Sequence, residues 1–128
     1  MGYLLDTNVL IDLVEGRSGS AGSRFRESGY LSVISTVELH AGALIDGRVD
    51  TEMQRRIAEI VDSFTELPFT SGEAEAYART IAVTGFSRRM IIDRMIAVTA
   101  LTNGLTLVTS NARDFRNIPG LMIEDWSK

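Results

Sequence analysis

Four acidic residues in this chain of 128 residues stand where their carboxylates could act together on a ligand. Asp6 follows a short apolar run near the N-terminus, and Asp114 comes shortly after a longer apolar run. Glu38 and Asp93 lie near the starts of two predicted helices. Ligands bind open α/β sheets at the edge where strands end and helices begin. We therefore expect the fold to gather these four acids at one such edge.

The chemistry that suits such a group is the binding of a divalent cation. Carboxylates that are brought together repel one another unless a cation neutralises them. Mg²⁺ and Mn²⁺ take oxygen ligands and bind a few carboxylates together with the phosphates of a substrate. A metal held in this way activates water and neutralises charge while a phosphodiester is attacked. The residue types therefore favour metal-dependent hydrolysis of a phosphodiester.

Each acid also has a structural interpretation, which the pattern alone leaves open. Asp6 could cap the helix that follows it through a side-chain hydrogen bond. Ser35 and Glu38 have the spacing of a capping box, in which both side chains bind backbone amides of a first helical turn. Asp93 lies among apolar residues, where an unpaired acid is costly, but it could be a first-turn acid paired with Arg94. The fourth acid could be an ordinary turn residue.

The elements that must position these acids alternate between strands and helices. Apolar runs predict strands over residues 3–5, 30–34, 65–69, 105–109 and 121–123. Helical periodicity and cap residues predict helices that start near residues 9, 35, 51, 71 and 90, with a loop and a short helix over 18–28. This alternation predicts an α/β fold in three layers, with a central, mostly parallel sheet of four to five strands flanked by helices. Given the length, residues 1–128 are expected to form a single domain.

The composition narrows the function classes. The chain has no cysteine, which excludes disulfides, thiolate nucleophiles and zinc–thiolate sites. No run approaches the ~20 apolar residues of a membrane helix, and no basic segment precedes an apolar run at the N-terminus, so a cytoplasmic protein without membrane attachment is expected. The net charge is −4, and Lys128 is the only lysine among 13 basic residues. Arginine suits bidentate contacts with phosphate, although a bias in codon composition is the alternative explanation.

Short motifs around the four acids give the chain a resemblance to a known family. The motifs cover residues 4–8, 35–39, 93–97 and 107–115, in the family's order and over essentially the whole chain. The sequence resembles the PIN-domain ribonucleases, and in particular the VapC toxins of bacterial toxin–antitoxin pairs. The resemblance implies a PIN-like fold and an endoribonuclease that depends on Mg²⁺ or Mn²⁺ and leaves 5′-phosphate and 3′-hydroxyl ends.

The resemblance also implies roles for individual residues. The family's catalytic acidic tetrad falls on Asp6, Glu38, Asp93 and Asp114, of which Asp6, Asp93 and Asp114 are expected to bind the metal. Its supporting polar residues fall on Thr7, Asn8, Thr109 and Asn111. The sequence departs from the family pattern at residues 89–92, where many relatives have Gly or Pro, and at Ser110, where many have Arg. The first departure concerns how the helix that carries Asp93 begins, and the second removes a candidate phosphate contact.

Partners follow from the same resemblance. It implies structured RNA of the tRNA or ribosomal RNA class as substrate, a homodimer, and a VapB-type antitoxin that blocks the site in a larger assembly. Arginines flank two of the acids and are predicted to contact RNA phosphates, with a solvated basic surface as the alternative. These are Arg88, Arg89 and Arg94 near Asp93, and Arg113 and Arg116 near Asp114. An apolar helical stripe from Met53 to Phe64 is expected to be core or a subunit contact. Alternatively, it could form a groove for a partner helix together with Val9, Leu10 and Leu13.

Two other function classes match less well. The segment after the first strand is faintly similar to the aspartyl nucleophile of haloacid-dehalogenase phosphatases, which need a second acid at the position of Asn8 and a downstream lysine. The lack of lysines also disfavours a receiver domain and a P-loop nucleotidase. A non-catalytic binding module would keep four repelling carboxylates at a cost in stability and for no use. The sequence therefore favours the ribonuclease.

Overall fold

The computed structural model describes residues 2–16, 28–45 and 47–127. The loop and short helix expected over 18–28 lie outside the described residues, apart from Ser28. Among the helices that are described, none is both long and apolar enough to cross a membrane.

The described elements alternate between strands and helices, as predicted. The strands are β1 (Tyr3–Leu5), β2 (Gly29–Ser32), β3 (Leu44–Ile45), β4 (Arg48–Val49), β5 (Thr65–Leu67), β6 (Thr106–Thr109) and β7 (Ile123–Asp125). The α-helices are α1 (Thr7–Val14), α2 (Val33–Gly42), α3 (Thr51–Ser63), α4 (Ser71–Thr84) and α5 (Ile91–Thr102). A 3-10 turn at Arg88–Met90 leads into α5, and another at Ala112–Phe115 follows β6.

Five of the strands form one sheet in the order β5-β2-β1-β6-β7, and every neighbouring pair in it is parallel. The predicted α/β class with a mostly parallel sheet of four to five strands is therefore confirmed. A separate antiparallel hairpin joins β3 to β4. The sequence patterns did not predict this hairpin, because strands of two residues are too short to show an alternation.

Each face of the sheet has its own apolar core. Leu5 and Val108 pack in one core with side chains of α1, α2 and α3. Leu4 and Leu107, one residue earlier on the same two strands, pack with side chains of α5 in the other core. Successive side chains of a strand point to opposite faces of a sheet. The apolar runs of β1 and β6 therefore bury both faces, and helices cover the sheet in three layers.

Several element boundaries differ from the prediction; β5, for example, ends at Leu67 rather than at residue 69. β2 ends at Ser32 and α2 begins at Val33, because the Ser32 hydroxyl accepts a hydrogen bond from the Ile34 amide and caps the helix. Ser35 consequently lies inside α2, and the capping box predicted for Ser35 and Glu38 is wrong. The last strand covers Ile123–Asp125 rather than residues 121–123.

The strand order creates a crevice at the carboxyl ends of β1 and β6. From β1 the sheet continues through β2 and β5 on one side, and through β6 and β7 on the other. Ligands of open α/β sheets bind where the strand order reverses in this way. Asp6 directly follows β1 and Thr109 ends β6, so both residues stand at this crevice.

Candidate active site

Asp6 is held from two sides at the crevice between β1 and β6. Its side chain is only 4% exposed. One carboxylate oxygen accepts a hydrogen bond from the Thr7 amide (2.8 Å), and the other accepts one from the Thr109 hydroxyl (2.8 Å). Asp6 therefore caps α1, as its structural interpretation predicted, and the same contacts fix its carboxylate in the crevice.

Glu38 is joined to this corner by hydroxyl groups. The Thr7 hydroxyl donates to Glu38 Oε1 at 2.6 Å, and the Ser35 hydroxyl lies 2.8 Å from the Thr7 hydroxyl. Because the single hydroxyl proton of Thr7 goes to Glu38, Ser35 is the donor in the second bond. Sequence reasoning assigned Ser35 to a cap and missed this contact. The available signal was the three-residue spacing of Ser35 and Glu38, which puts both on one helix face.

Asp114 reaches the same crevice from the turn after β6. The Asn111 side chain donates to Asp114 Oδ2 at 2.5 Å. The backbone amide of Asn111 donates to the Thr109 hydroxyl at 3.0 Å, and that hydroxyl in turn donates to the carboxylate of Asp6. Two of the predicted supporting residues, Thr109 and Asn111, thus connect Asp114 with Asp6. Asn8, another predicted supporting residue, is exposed on the first turn of α1.

Asp93 joins the group from the first turn of α5, where it is half-buried. Burial, followed by the charges of the other three acids, raises the pKa of Asp93 to about 6, and the positive charge of Arg89 opposes this increase. Burial is also the main reason why the pKa of Asp6 is raised. Hydrogen bonds from Thr109 and Thr7 oppose that increase, and the charges of two other acids add to it. Acids from four separate elements are therefore close enough to repel one another.

The donor set fits a divalent cation. The atoms that could bind a metal ion are carboxylate and hydroxyl oxygens. None of the four acids forms an ion pair with an arginine in the described part of the chain. Within the same described ranges, no three acidic or histidine side chains stand close enough to enclose an ion as they are. Mg²⁺ usually keeps several waters and needs only one or two protein carboxylates. A partly hydrated ion is therefore the kind that these residues suit.

The predicted RNA-binding arginines fall into two groups. Arg88, Arg89 and Arg113 are exposed, and Arg89 is near enough to Asp93 to affect its pKa. Arg94 is only 5% exposed, and its guanidinium donates to the Thr84 hydroxyl and to the Gly85 carbonyl. The prediction that Arg94 contacts RNA phosphate, and the alternative that it pairs with Asp93, are therefore both wrong.

An open polar cavity of about 300 Å³ lies beside Asp114. It is lined by residues that follow β6 and β7, among them Ser110, Asn111, Arg113 and Arg116. Arg116 forms an ion pair of 3.6 Å with Asp125 at the end of β7. Ser110 thus contributes a small side chain to a cavity that already has two arginines.

Comparisons with known proteins agree on one family. Residues 3–121 match the family model of the PIN domain. The chain is 36% identical to "Ribonuclease VapC1" of Rickettsia felis, over 96% of this chain and 95% of that protein. It is 30% identical to "tRNA(fMet)-specific endonuclease VapC" of Shigella flexneri, over 98% of both chains. Among solved structures, DNA-bound VapBC from Salmonella typhimurium contains a chain that is similar at a TM-score of 0.84 and 27% identity, over 98% of both chains.

Proposed function

The chain belongs to the PIN-domain family, within its VapC ribonuclease branch, and from that premise we propose that it is a metal-dependent endoribonuclease and the toxin of a toxin–antitoxin pair. The observation that carries the proposal is the group of four carboxylates. They come from four elements, lie within electrostatic reach of one another and have no arginine partner in the described residues. Such an arrangement costs stability in the absence of a cation.

The proposed roles differ between the acids. Asp6, Asp93 and Asp114 would hold Mg²⁺ or Mn²⁺, with Thr109 and Asn111 fixing two of them through the hydrogen bonds described above. When bound, the ion supplies charge neutralisation at the phosphodiester and makes water more acidic. Residues 1–128 would form one catalytic domain.

Glu38 is the proposed proton acceptor for the attacking water. Thr7 holds its Oε1 atom, which leaves Oε2 available to take the proton. The oxygen of the water forms a bond to phosphorus, and the bond from phosphorus to the 3′ oxygen breaks. The 3′ oxygen takes a proton from solvent, so the products carry 5′-phosphate and 3′-hydroxyl ends.

The proposed substrate is structured RNA of the tRNA or ribosomal RNA class. Two relatives are named tRNA(fMet)-specific endonucleases, at 30% identity over nearly the whole chain. Three exposed arginines would contact RNA phosphates around the acidic centre: Arg88, Arg89 and Arg113. These contacts would neutralise negative charge of the RNA backbone.

A VapB-type antitoxin is the proposed partner, and similar chains have been solved in VapBC complexes. A mostly apolar cavity of about 180 Å³ between α1, α2 and α3 includes Glu38 in its lining. In the stripe from Met53 to Phe64, Ile57 and Phe64 are buried core residues and half-buried Met53 packs against that core. Met53 and Ile57 both line the cavity. A partner helix could place an apolar side chain in this cavity and an arginine on the acids.

We also propose a homodimer, a larger assembly with the antitoxin, and a cytoplasmic location.

A cleavage assay tests the nuclease. Purified protein should cut tRNA or ribosomal RNA with Mg²⁺ or Mn²⁺ and stop when EDTA is added. Asp93→Asn should lower the rate about a thousandfold or more, because part of the metal site and its charge are lost. Asp62→Asn, an exposed acid on α3, is the matched control and should keep full activity. Cleavage that persists in EDTA and in Asp93→Asn would contradict the proposal.

Co-expression tests the partner. The product of the gene immediately upstream should co-purify with this chain and suppress both its nuclease activity and its growth toxicity. If that product does neither, the toxin assignment fails, although the ribonuclease assignment can survive.

A further inference from the structure

A buried arginine joins the helix that carries Asp93 to the end of the preceding helix. The Arg94 guanidinium donates to the Thr84 hydroxyl and the Gly85 carbonyl, at the carboxyl end of α4. Its Nε atom is buried and has no hydrogen-bond partner among the residues that the structure describes. The negative end of the α4 dipole partly compensates the buried charge. Burying the Arg94 guanidinium with Nε unsatisfied costs stability. We therefore ask what is gained when Arg94 fixes the chain at Gly85.

What Arg94 holds in place is the start of an exposed connection between α4 and α5. Gly85 has a φ of 85°, which lets the chain turn away from α4. Phe86 follows and is 62% exposed, and Arg88 and Arg89 are exposed as well. Met90 is buried and anchors the far end of the connection.

This connection stands beside the acidic centre. Arg89 is close enough to Asp93 for its charge to lower the pKa of that acid. At the other end, Arg94, which directly follows Asp93 in the sequence, donates a hydrogen bond to the Gly85 carbonyl. Phe86 follows Gly85 directly and precedes Arg89 by three residues, so it lies in the connection between these two contacts.

The chemistry of the connection favours nucleic acid as the occupant. A single exposed apolar side chain is normal and needs no explanation by itself. Phe86, however, is the one aromatic among the strongly exposed large apolar side chains in the described residues, and two exposed arginines follow it closely. Proteins bind unpaired nucleotides with this combination, in which bases stack on aromatic rings and cations contact the phosphates.

We propose that Phe86 is the platform on which an unpaired base of the RNA substrate stacks, and that Arg94 is a positioning residue that holds this platform beside the acidic centre. Arg88 and Arg89 contact the phosphates next to the stacked base. The inference rests on the proposed ribonuclease function and assigns the contact with a base of the substrate to named residues of this chain.

Binding of two labelled RNAs tests the platform. One probe is a fluorescein-labelled stem–loop, and the other is the fully paired duplex of the same stem. Both are titrated by anisotropy in an Asp93→Asn background, so that the RNA is not cut. Phe86→Ala and Phe86→Leu should each weaken binding of the stem–loop about tenfold and leave binding of the duplex unchanged. Phe86→Trp should retain the affinity, because it keeps an aromatic face.

Three readouts separate stacking from other roles. The salt dependence of binding should be unchanged in Phe86→Ala, which loses no phosphate contact, and shallower in Arg89→Ala. Val83→Ala, which truncates an apolar side chain that is 69% exposed on α4, is the matched control and should bind like the parent protein. Arg94→Met should weaken binding of the stem–loop, and combining it with Phe86→Ala should add little, because both changes act on the same contact.

Several results would overturn the proposal. Phe86→Leu that retains affinity for the stem–loop would show that an aromatic face is not needed. An equal loss of affinity for both probes would exclude base stacking. A lower molecular mass of Phe86→Ala by light scattering would make Phe86 a subunit contact instead. If RNA is cleaved normally and Phe86 variants bind like the parent, this inference alone fails; if the unmodified protein cleaves no RNA, the proposed function fails.

Discussion

Two groups of acids in this molecule show opposite electrostatics. On the exposed face of α3, Glu52 pairs with Arg55 at 2.6 Å and with Arg56 at 3.3 Å, and Arg55 also pairs with Glu59. The hydrogen bond from Arg55 is the largest cause that lowers the pKa of Glu52. In the crevice, burial and the neighbouring acids raise the pKa of Asp93 to about 6.

The difference lies in where the counter-charge comes from. On α3 it is part of the chain, one helical turn away, and solvent surrounds every partner. In the crevice the chain supplies hydroxyl and amide donors that orient the carboxylates, but no arginine pairs with them among the residues described. The α3 acids are paired surface charges, whereas the crevice acids lack such pairing among the described residues and are proposed to take a cation from outside. The predictions that follow test this contrast, from the largest expected effect to the smallest.

Glu38→Gln should lower RNA cleavage by about a hundredfold or more, because it removes the proposed proton acceptor. The Thr7 hydroxyl can still donate to the Gln side-chain oxygen, so the melting temperature should stay close to that of the parent protein. Rates on RNA and thermal melts measure both effects. Glu59→Gln on α3 is the matched control, and full activity of Glu38→Gln would remove Glu38 from the chemistry.

Adding Mg²⁺ should stabilise the parent protein. At a hundredfold excess over its dissociation constant a ligand adds about 2.7 kcal/mol to the free energy of unfolding, which corresponds to a rise of several degrees in Tm. Asp93→Asn should lose most of this rise, and without metal it should be as stable as the parent or more so, since a repelling charge is gone. Melts with Mg²⁺ and with EDTA measure this. A large loss of stability in Asp93→Asn with EDTA would identify a buried structural acid instead.

The pH dependence of the metal-free protein should reflect the raised pKa of Asp93. Because the folded protein binds this proton more tightly than the unfolded chain, the favourable contribution is complete below the unfolded pKa near 4 and is lost as the pH rises through about 6. The free energy of unfolding of the parent should therefore fall relative to that of Asp93→Asn over this range. Urea titrations with EDTA at several pH values measure the difference, and two parallel curves would contradict the expected repulsion.

Arg55→Ala should have the smallest effect. The side chains of this network are largely exposed, and such surface pairs contribute little to stability. The expected result is a melting temperature near that of the parent and unchanged RNA cleavage. A loss of cleavage in Arg55→Ala would break the contrast between the two groups of acids.

Much of the fold could be predicted because strong apolar runs mark its central strands. The prediction placed β1 at the observed residues and β6 within one residue of them. The start of α2 was missed because Val33 and Ile34 are β-branched residues that continue the apolar pattern of β2. The strand nevertheless ends at Ser32, whose hydroxyl accepts a hydrogen bond from the Ile34 amide and caps α2. A pattern of apolar residues does not indicate where such a hydrogen bond forms.

The site could be predicted in part. The four acids were expected together and the structure brings them within electrostatic reach, while their catalytic and metal-binding roles stay predictions. Arg94 was assigned to RNA because it follows Asp93 in sequence. Adjacent residues on a helix point about 100° apart, however, and this rotation directs Arg94 to the end of α4. No role was predicted for Phe86, because a single aromatic residue in a loop belongs to no periodic pattern of apolar residues.

The bond between Thr109 and Asp6 links residues 103 positions apart, and β6 must pair with β1 before it can form. A ribosome synthesises Asp6 103 residues before Thr109, so the nascent chain carries Asp6 and Glu38 for a time without Thr109 or Asp114. Long-range pairing of this kind is also slow to form. The acidic centre can therefore assemble only after β6 and Asp114 have been synthesised, and a nascent chain that stops before Thr109 cannot have it.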